Sequence, residues 1–218
     1  MFYPIGDDQV KNGYKPIFTY LLILTNVVLF FYQLTLTDEQ LSFWFREYGA
    51  TPTLVLHGQN LKSLVTGMFL HGGWMHLIGN MLFLWVFADN IEAIIGTKRF
   101  ILFYFAGGVF AALVHSLINR YSGVPCIGAS GAISAALGAY LVMFPGSKVK
   151  MLVFIWVFRI SAFFFLGFWI IQQVLAGYRS FDPIMVDDGI GYWAHIGGFI
   201  YGFIAGFSFR KYIKKHHS

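Results

Sequence analysis

The sequence contains few charged residues. Only 11% of its 218 residues are Asp, Glu, Lys or Arg, whereas an average soluble domain has about 25%. No such charge occurs from Ser63 to Ala88, or between Ser130 and Lys148. A water-soluble fold of this size cannot hide so many uncharged apolar runs, so the composition predicts a polytopic membrane protein.

Cysteine is also scarce. Cys126 is the single cysteine, which excludes an intramolecular disulfide and a cysteine-rich zinc site. The low charge and the 25 phenylalanines exclude a disordered or nucleic-acid-binding chain. Asp7 and Asp8 precede Lys11, and no small-residue cleavage site follows the first apolar run. We therefore expect a retained first span and not a cleaved signal peptide.

Six apolar runs approach the length of about 20 residues that a helix needs to cross a bilayer. They are Ile17–Leu36, Trp74 to about Ile95, Phe100–Ile118, Ile127–Phe144, Ile160–Tyr178 and Ile190–Phe209. The predicted fold class is all-α, with a six-helix membrane domain at residues 17–209. A cytoplasmic segment, residues 1–16, precedes this domain, and a basic cytoplasmic tail, residues 210–218, follows it.

Basic residues orient the predicted bundle. When the six spans alternate in direction, ten Lys and Arg residues fall on the side of the two termini. The other side receives only Arg46, Lys62, Arg120 and Arg179. The positive-inside rule therefore predicts that both termini are cytoplasmic.

Two segments outside the predicted spans are also apolar. Residues 37–73, between the first two spans, are expected to dip into the outer membrane interface as short amphipathic helices. Met151–Phe158 is too short to span the membrane and is expected to lie at the cytoplasmic interface. Arg159 then marks the start of the fifth span, because burying its charge in the bilayer would be costly.

Four polar side chains occur early in three of the predicted spans. His76 and Asn80 lie in the second span, Ser130 in the fourth and His195 in the sixth. These spans all run from outside to inside, so the four side chains share one depth in the outer half of the bilayer. Polar groups inside a membrane are costly, so each is a functional candidate.

Ser130 lies beside glycines, in the segment Gly128-Ala129-Ser130-Gly131. A serine in a membrane helix commonly bonds only to a carbonyl group or to a neighbouring helix. Here the glycines allow close approach of a ligand, and the helix start supplies free N–H groups and the positive end of the helix dipole. These features favour a nucleophile beside an oxyanion-binding site.

Small residues at a spacing of four line the fourth and sixth predicted spans and favour their close packing. Ser130 and His195 stand at the outer ends of these two stripes. Stripes alone would favour simple helix packing, with His195 bonded to a carbonyl group. Stripes that end in Ser and His favour a nucleophile within hydrogen-bond reach of its general base. The stripes are Gly131, Ala135 and Ala139, and Gly198, Gly202 and Gly206.

His76 and Asn80 are four residues apart and share one helix face. Both can donate hydrogen bonds to an oxyanion, beside the Ser130 backbone N–H. His71, read with His76 and His195, also raises the alternative of a metal site. No carboxylate or Cys lies with them at the outer ends of the spans, so we expect no metal and no cofactor, and His71 is expected to shape the end of the outer loop.

Together these motifs resemble the rhomboid family of intramembrane serine proteases. The resemblance covers about Ser63–Phe209. Its matching residues are His71-Gly72-Gly73-Trp74-Met75-His76, Asn80, Glu92 with Gly96, Gly128-Ala129-Ser130-Gly131, and Ala194-His195 with Gly198 and Gly202. It implies a compact bundle of six helices whose water-accessible cavity opens to the outside.

The resemblance also implies a chemistry and a role for each matching residue. Ser130 would be the nucleophile and His195 the general base, in a dyad without an acidic third member. His76, Asn80 and the Ser130 N–H would stabilise the oxyanion. The remaining matches would support the site structurally: His71, Gly128, Gly131, Gly198, Gly202 and Glu92. Substrates would be membrane proteins, cut in or near their transmembrane segments, typically after small residues.

The sequence departs from the family pattern at two places. Many members carry a Trp-Arg pair in the outer loop where Lys62-Ser63 stands here, which changes the anchoring contact of the loop. Some members carry an aromatic residue four positions after the nucleophile, stacked on the catalytic His, and here that position is Ser134. Another residue must then orient His195, and Trp193 or an outer-loop residue is the hypothesis.

The predicted function is therefore an intramembrane serine endopeptidase whose partners are transmembrane protein substrates and membrane lipids, with no nucleic acid. One alternative is a catalytically inactive rhomboid-like protein that binds transmembrane segments. The presence of both Ser130 and His195 argues against it. The other alternative is a small transporter. The lack of a second layer of polar residues across the inner half of the bilayer argues against it. The basic tail and the lack of an organellar presequence favour a prokaryotic plasma (inner) membrane.

Overall fold

The computed structural model describes residues 2–8, 10, 13–182 and 189–216. Lys11, which the predicted orientation uses, and residues 217–218 of the predicted tail lie outside these ranges. The described chain is mostly helical. Its helices are α1 Ile17–Gln33, α2 Asp38–Tyr48, α3 Pro52–Leu56, α4 Ser63–Thr66, α5 Trp74–Phe83, α6 Asp89–Ile95, α7 Thr97–Ile118, α8 Ser130–Met143, α9 Ala162–Arg179 and α10 Tyr192–His216. A 3₁₀ turn, Gly67–Phe69, follows α4.

The long helices coincide with the six apolar runs. A π-helical segment, Leu84–Ala88, joins α5 to α6, so that Trp74–Ile95 is one helix. This helix ends at Gly96, which has a φ of +79°, a conformation that glycine adopts without strain. Among the described residues, two helices are long and apolar enough to cross a membrane: Trp74–Ile95, with a mean hydropathy of 1.4, and Thr97–Ile118, with 2.0.

Helix α8 lies at the centre of the molecule. All of its residues except Ser130 and Leu141 are buried or nearly so, and it packs along α10 and α7. A side chain at Gly202 would collide with the Ala135 carbonyl group, and a Cβ at Gly206 would lie 3.0 Å from the Ala139 carbonyl oxygen. The predicted contact between the two small-residue stripes is thus confirmed, at backbone-to-backbone distance.

A small β-sheet corrects the expected all-α class. Strands β1 Phe2–Gly6, β2 Lys148–Val153 and β3 Trp156–Ser161 form an antiparallel sheet in the order β1-β2-β3. The segment Met151–Phe158, which was expected at the cytoplasmic membrane interface, forms the turn of the β2–β3 hairpin and the strand residues next to it. Valine, isoleucine and aromatic residues dominate this segment, and such residues favour strands. Arg159 is exposed on β3 and lies 3.8 Å from Asp8.

Residues 37–73, the predicted outer loop, contain the short helices α2, α3 and α4. Thr37 and Gln40 form a reciprocal capping box at the start of α2, which stabilises the helix N-terminus. Lys62 stands where a Trp-Arg pair is common, and its ammonium group lies 2.5 Å from Glu47 Oε1 and over the ring of Tyr48. The hydrogen bond to Glu47 raises the pKa of Lys62. The loop therefore has a different anchoring contact of its own.

Glu92 connects three elements at the opposite end of the bundle. Its side chain is fully buried and accepts hydrogen bonds from the Phe18 N–H (3.0 Å) and the Thr19 N–H (2.8 Å) at the start of α1. The hydroxyl groups of Thr19 and Thr97 donate two more, at 2.8 and 2.7 Å. A buried carboxylate is tolerated when it is fully hydrogen-bonded, and here its bonds join α1 to α6 and α7.

Candidate active site

Ser130 and His195 are in contact. Ser130 is the first residue of α8 and His195 lies in the first turn of α10. His195 Nε2 is 2.8 Å from Ser130 Oγ. The contact that the stripes predict is therefore present, because α8 and α10 approach each other most closely along the small residues that follow these two side chains.

Helix α9 supplies the neighbours of His195 on its other side. His195 Nδ1 lies 2.7 Å from the side-chain oxygen of Gln173. The indole of Trp169, one turn earlier, lies over the imidazole with ring centroids 5.9 Å apart and planes 36° apart. The hypothesis that Trp193 orients His195 is wrong, because the indole of Trp193 packs against Phe181.

The sequence contains one signal for Gln173. Gln172 and Gln173 are a polar pair within the fifth apolar run, where an amide without a partner is as costly as in the other spans. The structure distinguishes the two residues, since Gln172 is exposed and Gln173 is partly buried against His195.

The packing around Ser134 leaves no space for a larger side chain. It is 1% exposed, and its hydroxyl donates a hydrogen bond of 2.6 Å to the Ser130 carbonyl oxygen. A Cβ at Gly198 would lie only 3.1 Å from the Ser134 Cβ. An aromatic ring at position 134 therefore cannot lie between α8 and α10 as they pack here, and the ring near His195 comes from α9 instead.

Two of the predicted oxyanion donors, His76 and Asn80, lie beside Gly128, two residues before Ser130. A Cβ at Gly128 would lie 2.6 Å from His76 Nε2 and 3.6 Å from Asn80 Nδ2. Gly128 has a φ of +113°, a conformation that also requires glycine. The Ser130 N–H begins α8 and so has no carbonyl partner within that helix. Glycine at this position keeps open the space beside His76 Nε2 and Asn80 Nδ2.

His76 and Asn80 each have an N–H group that is able to donate a hydrogen bond to an oxyanion. The Gly72 N–H donates to His76 Nδ1 at 3.3 Å, so in the neutral ring the proton is on Nε2, the atom nearest Gly128. Asn80 is 8% exposed, and its Nδ2 is buried with no hydrogen-bond partner among the described residues. A buried amide donor without a partner carries an energetic cost, which an oxyanion between these groups would remove.

His71 lies behind His76 and is 1% exposed. Its backbone forms two hydrogen bonds with the side chain of Gln33 in α1, at 3.2 and 2.8 Å. Its ring meets that of His76 edge-on, with centroids 5.1 Å apart. Within the described part of the chain, no three His, Cys, Asp or Glu side chains are grouped so that they could hold a metal ion.

One cavity is lined in part by Ser130, and a second lies nearby without touching either residue of the dyad. The first, of about 20 Å³, is lined mainly by glycine and alanine, with Met68 and Leu64 at its base. The second, of about 390 Å³, lies beside the first turn of α10, and its lining includes His115, Cys126 and Tyr192. The hydroxyl group of Ser130 is therefore next to a space that fits only a small side chain.

Comparisons with known proteins identify the family of the chain. The family model described as "Rhomboid domain" matches residues 58–212. "Rhomboid protease GluP" of Bacillus subtilis is 35% identical over 136 residues, or 60% of this chain and 25% of that protein. "Presenilin-associated rhomboid-like protein A, mitochondrial" of Danio rerio is 28% identical over 198 residues, or 88% of this chain and 47% of that protein.

A third relative is "Rhomboid protein 1, mitochondrial" of Saccharomyces cerevisiae, 30% identical over 157 residues, or 70% of this chain and 43% of that protein. The chain thus spans less than half the length of each of these three relatives. Two of these three relatives are named as mitochondrial, so the expected prokaryotic plasma membrane is not supported.

Proposed function

The chain belongs to the rhomboid family, and from this premise we propose that it is an intramembrane serine endopeptidase. Ser130 is the nucleophile and His195 is its general base. One observation carries the proposal: His195 Nε2 lies 2.8 Å from Ser130 Oγ, within the distance that proton transfer from a nucleophile to its base requires.

The reaction is an acyl transfer. His195 Nε2 takes the hydroxyl proton while Ser130 Oγ attacks the scissile carbonyl carbon, whose oxygen becomes an oxyanion. The C–N bond then breaks, and the proton on Nε2 passes to the leaving amine. Water next gives a proton to His195 Nε2 and attacks the acyl carbon. The bond from that carbon to Ser130 Oγ then breaks while Oγ takes the proton from His195, which releases the carboxylic acid and restores both residues.

The oxyanion is stabilised by the His76 Nε2–H, the Asn80 side-chain amide and the Ser130 N–H. These groups are fixed before the substrate arrives, so they need little reorganisation as the negative charge develops. The unpartnered Nδ2 of Asn80 and the glycine at position 128, whose Cβ would lie 2.6 Å from His76 Nε2, support this role.

The substrates are transmembrane proteins cut after a small residue. The cavity of about 20 Å³ that touches Ser130 accepts an alanine-sized side chain, whereas a leucine would displace the glycines and alanines around it. The larger cavity beside the first turn of α10 gives the water of the second step a way to the acyl-enzyme. Neither step requires a cofactor.

The membrane arrangement completes the proposal. Helix α1, the joined α5–α6 helix and helices α7 to α10 are the six spans of a domain at residues 17–209, with the segment 1–16 and the tail 210–218 in the cytoplasm. Residues 210–216 continue α10. The dyad then opens to the outer face, and the outward-facing apolar side chains of α9, such as Phe164 and Phe168, contact lipid.

The test uses the full chain purified in detergent or reconstituted in liposomes, with a panel of transmembrane substrates. We expect cleavage and covalent labelling by a fluorophosphonate, and we expect both to vanish in Ser130→Ala and His195→Ala variants that still insert and fold. Ser208, exposed on α10 far along the helix from His195, provides the control variant Ser208→Ala. A folded Ser130→Ala protein that cuts at the wild-type rate would show the nucleophile assignment to be wrong.

A catalytically inactive binding protein is the second candidate function, since some family members are named only as rhomboid-like proteins. It would bind the same transmembrane segments without labelling or cleavage. The same experiment distinguishes the two functions, because an inactive protein would not react with the fluorophosphonate at all.

A further inference from the structure

We propose that Gln173 is the positioning residue of His195. Ser130, His195 and Gln173 then form a hydrogen-bonded triad, to which helix α9 contributes the glutamine. This inference rests on the proposed proteolytic function. Gln173 Oε1 lies 2.7 Å from His195 Nδ1, while His195 Nε2 lies 2.8 Å from Ser130 Oγ. The two contacts use the two ring nitrogens of one imidazole and place its neighbours on opposite edges.

The chemistry of the amide oxygen fixes the tautomer. A carboxamide oxygen only accepts hydrogen bonds, so His195 must carry a proton on Nδ1 and donate it to Gln173. The Nε2 atom of the neutral ring is then free of a proton and accepts the Ser130 hydroxyl. This is the protonation state that a general base needs. Without an acceptor at Nδ1, nothing favours it over the opposite tautomer, whose Nε2 cannot take the proton.

An amide suits this position better than the carboxylate of soluble serine hydrolases. A carboxylate in the outer half of a bilayer carries a large desolvation cost, whereas a neutral amide carries a smaller one. The amide still holds the ring and accepts the Nδ1 proton. It stabilises the transient imidazolium less than a carboxylate would, so positioning is its main contribution.

Two side chains of α9 hold the His195 ring in its orientation. Trp169 and Gln173 are four residues apart, which places them on one face of the helix. The indole lies over the imidazole face and the amide holds its edge. Helix α9 is otherwise loosely attached, with only Ala162, Leu166 and Gly177 buried. Displacing α9 outward therefore removes both contacts at once and leaves Ser130 beside an unoriented base.

The first experiment compares Gln173→Leu, Gln173→Glu and the matched control Gln172→Leu, which alters the exposed neighbour. In Gln173→Leu we expect kcat to fall about 10²-fold, the loss that misplacing a catalytic group by about 1 Å can cause. KM and the midpoint of thermal unfolding should stay at the wild-type values. Gln173→Glu restores an acceptor, so its kcat should exceed that of Gln173→Leu by about tenfold, and Gln172→Leu should match the wild type.

A full wild-type kcat in Gln173→Leu would overturn the proposal. So would a Gln173→Glu variant as inactive as Gln173→Leu while properly folded, because an acceptor of the same shape at this position would then not be what orients His195. If Gln173→Leu does not fold, Gln173→Met replaces it in the experiment, because methionine is similar in length to glutamine and has no strong acceptor. A wild-type protein that neither cleaves nor reacts with fluorophosphonate would instead contradict the proposed function.

A second measurement does not depend on proteolysis. Solid-state NMR of the reconstituted protein, labelled with ¹⁵N-histidine, reports which ring nitrogen of each histidine carries the proton. The His195 signals are identified by their loss in His195→Ala. We expect a protonated Nδ1 and an unprotonated Nε2 in the wild type, and loss of this pattern in Gln173→Leu. A wild-type ring protonated on Nε2, or a pattern unchanged in Gln173→Leu, would overturn the proposal.

Discussion

Gly198 of α10 lies against the backbone carbonyl group of Gly131 in α8, so close that no side chain fits between them. The same contact repeats one turn further along, where Gly202 meets the carbonyl group of Ala135. Ser130 and His195 immediately precede the first of these contacts. The distance between nucleophile and base is therefore set by two backbones in contact, without intervening side chains.

The first prediction follows from this contact. Gly198→Ala places a Cβ where the Gly131 carbonyl group lies, so α8 and α10 must separate. Overpacking typically costs about 1–3 kcal/mol, which the bundle should survive, but a shift of about 1 Å can lower the rate on the order of 10²-fold. We expect inserted, folded protein that has lost most proteolysis and reacts slowly with fluorophosphonate, and Gly198→Val should be worse.

The control for this prediction is Gly167→Ala. Gly167 lies in α9 with open space around its missing side chain, so that variant should keep wild-type activity. Full activity in Gly198→Ala would mean that the packing of α8 on α10 does not set the geometry of the dyad.

Much of the helical fold could be predicted because the signals were long and local. Each apolar run led to a helix, and the ends agree to within about three residues except for α10, which extends seven residues beyond Phe209 to His216. The spacing of Gly198, Gly202 and Gly206 even identified which helix faces meet, since small residues four apart allow close backbone contact. The dyad followed from these two patterns.

The sheet and Gln173 were missed for different physical reasons. Strand β1 pairs with β2, about 150 residues away, and no local pattern records so distant a pairing. Gln172 and Gln173 are adjacent, so their side chains point about 100° apart around the helix. The rotation of α9 decides which one meets His195, and tertiary packing sets that rotation.

The second prediction concerns Ser134. This side chain is buried between α8 and α10, and its Cβ lies 3.1 Å from where a Gly198 Cβ would be. We expect Ser134→Tyr, which introduces an aromatic residue at this position, to lower both the unfolding temperature and kcat. Ser134→Ala removes only the bond to the Ser130 carbonyl oxygen and should stay within a few-fold of wild-type activity. A more active Ser134→Tyr protein would contradict the packing described for this position.

The third prediction tests Glu92 as a structural group. Its two oxygens accept from two backbone donors, Phe18 N–H on Oε1 and Thr19 N–H on Oε2. In Glu92→Gln one of these N–H groups must face the amide NH₂, whichever way the side chain is turned. A buried unsatisfied donor costs about 1–3 kcal/mol, so the midpoint of thermal unfolding should fall.

Activity of Glu92→Gln measured well below that midpoint should remain near the wild-type value, since the contacts of Glu92 lie at the far end of the bundle from Ser130. Glu39→Gln, an exposed carboxylate in α2, is the matched control and should not change the unfolding midpoint detectably. Equal midpoints for Glu92→Gln and the wild type would show that the buried carboxylate does not hold α1 in place.

The last prediction separates the oxyanion donors from the dyad. Removing one donor of this kind typically lowers kcat about 10²- to 10³-fold, but His76 and Asn80 face the same space beside Gly128 and can compensate for each other. Asn80→Ala should therefore keep measurable activity, and the His76→Ala/Asn80→Ala double variant should be slower than either single variant. Asn80→Asp keeps the shape but places acceptors against the oxyanion, so it should be slower than Asn80→Ala. Fluorophosphonate labelling reports on the same pocket, because the reagent places its own oxygen there. Undiminished kcat in the double variant would remove both side chains from this role and leave the Ser130 N–H as the proposed donor that remains.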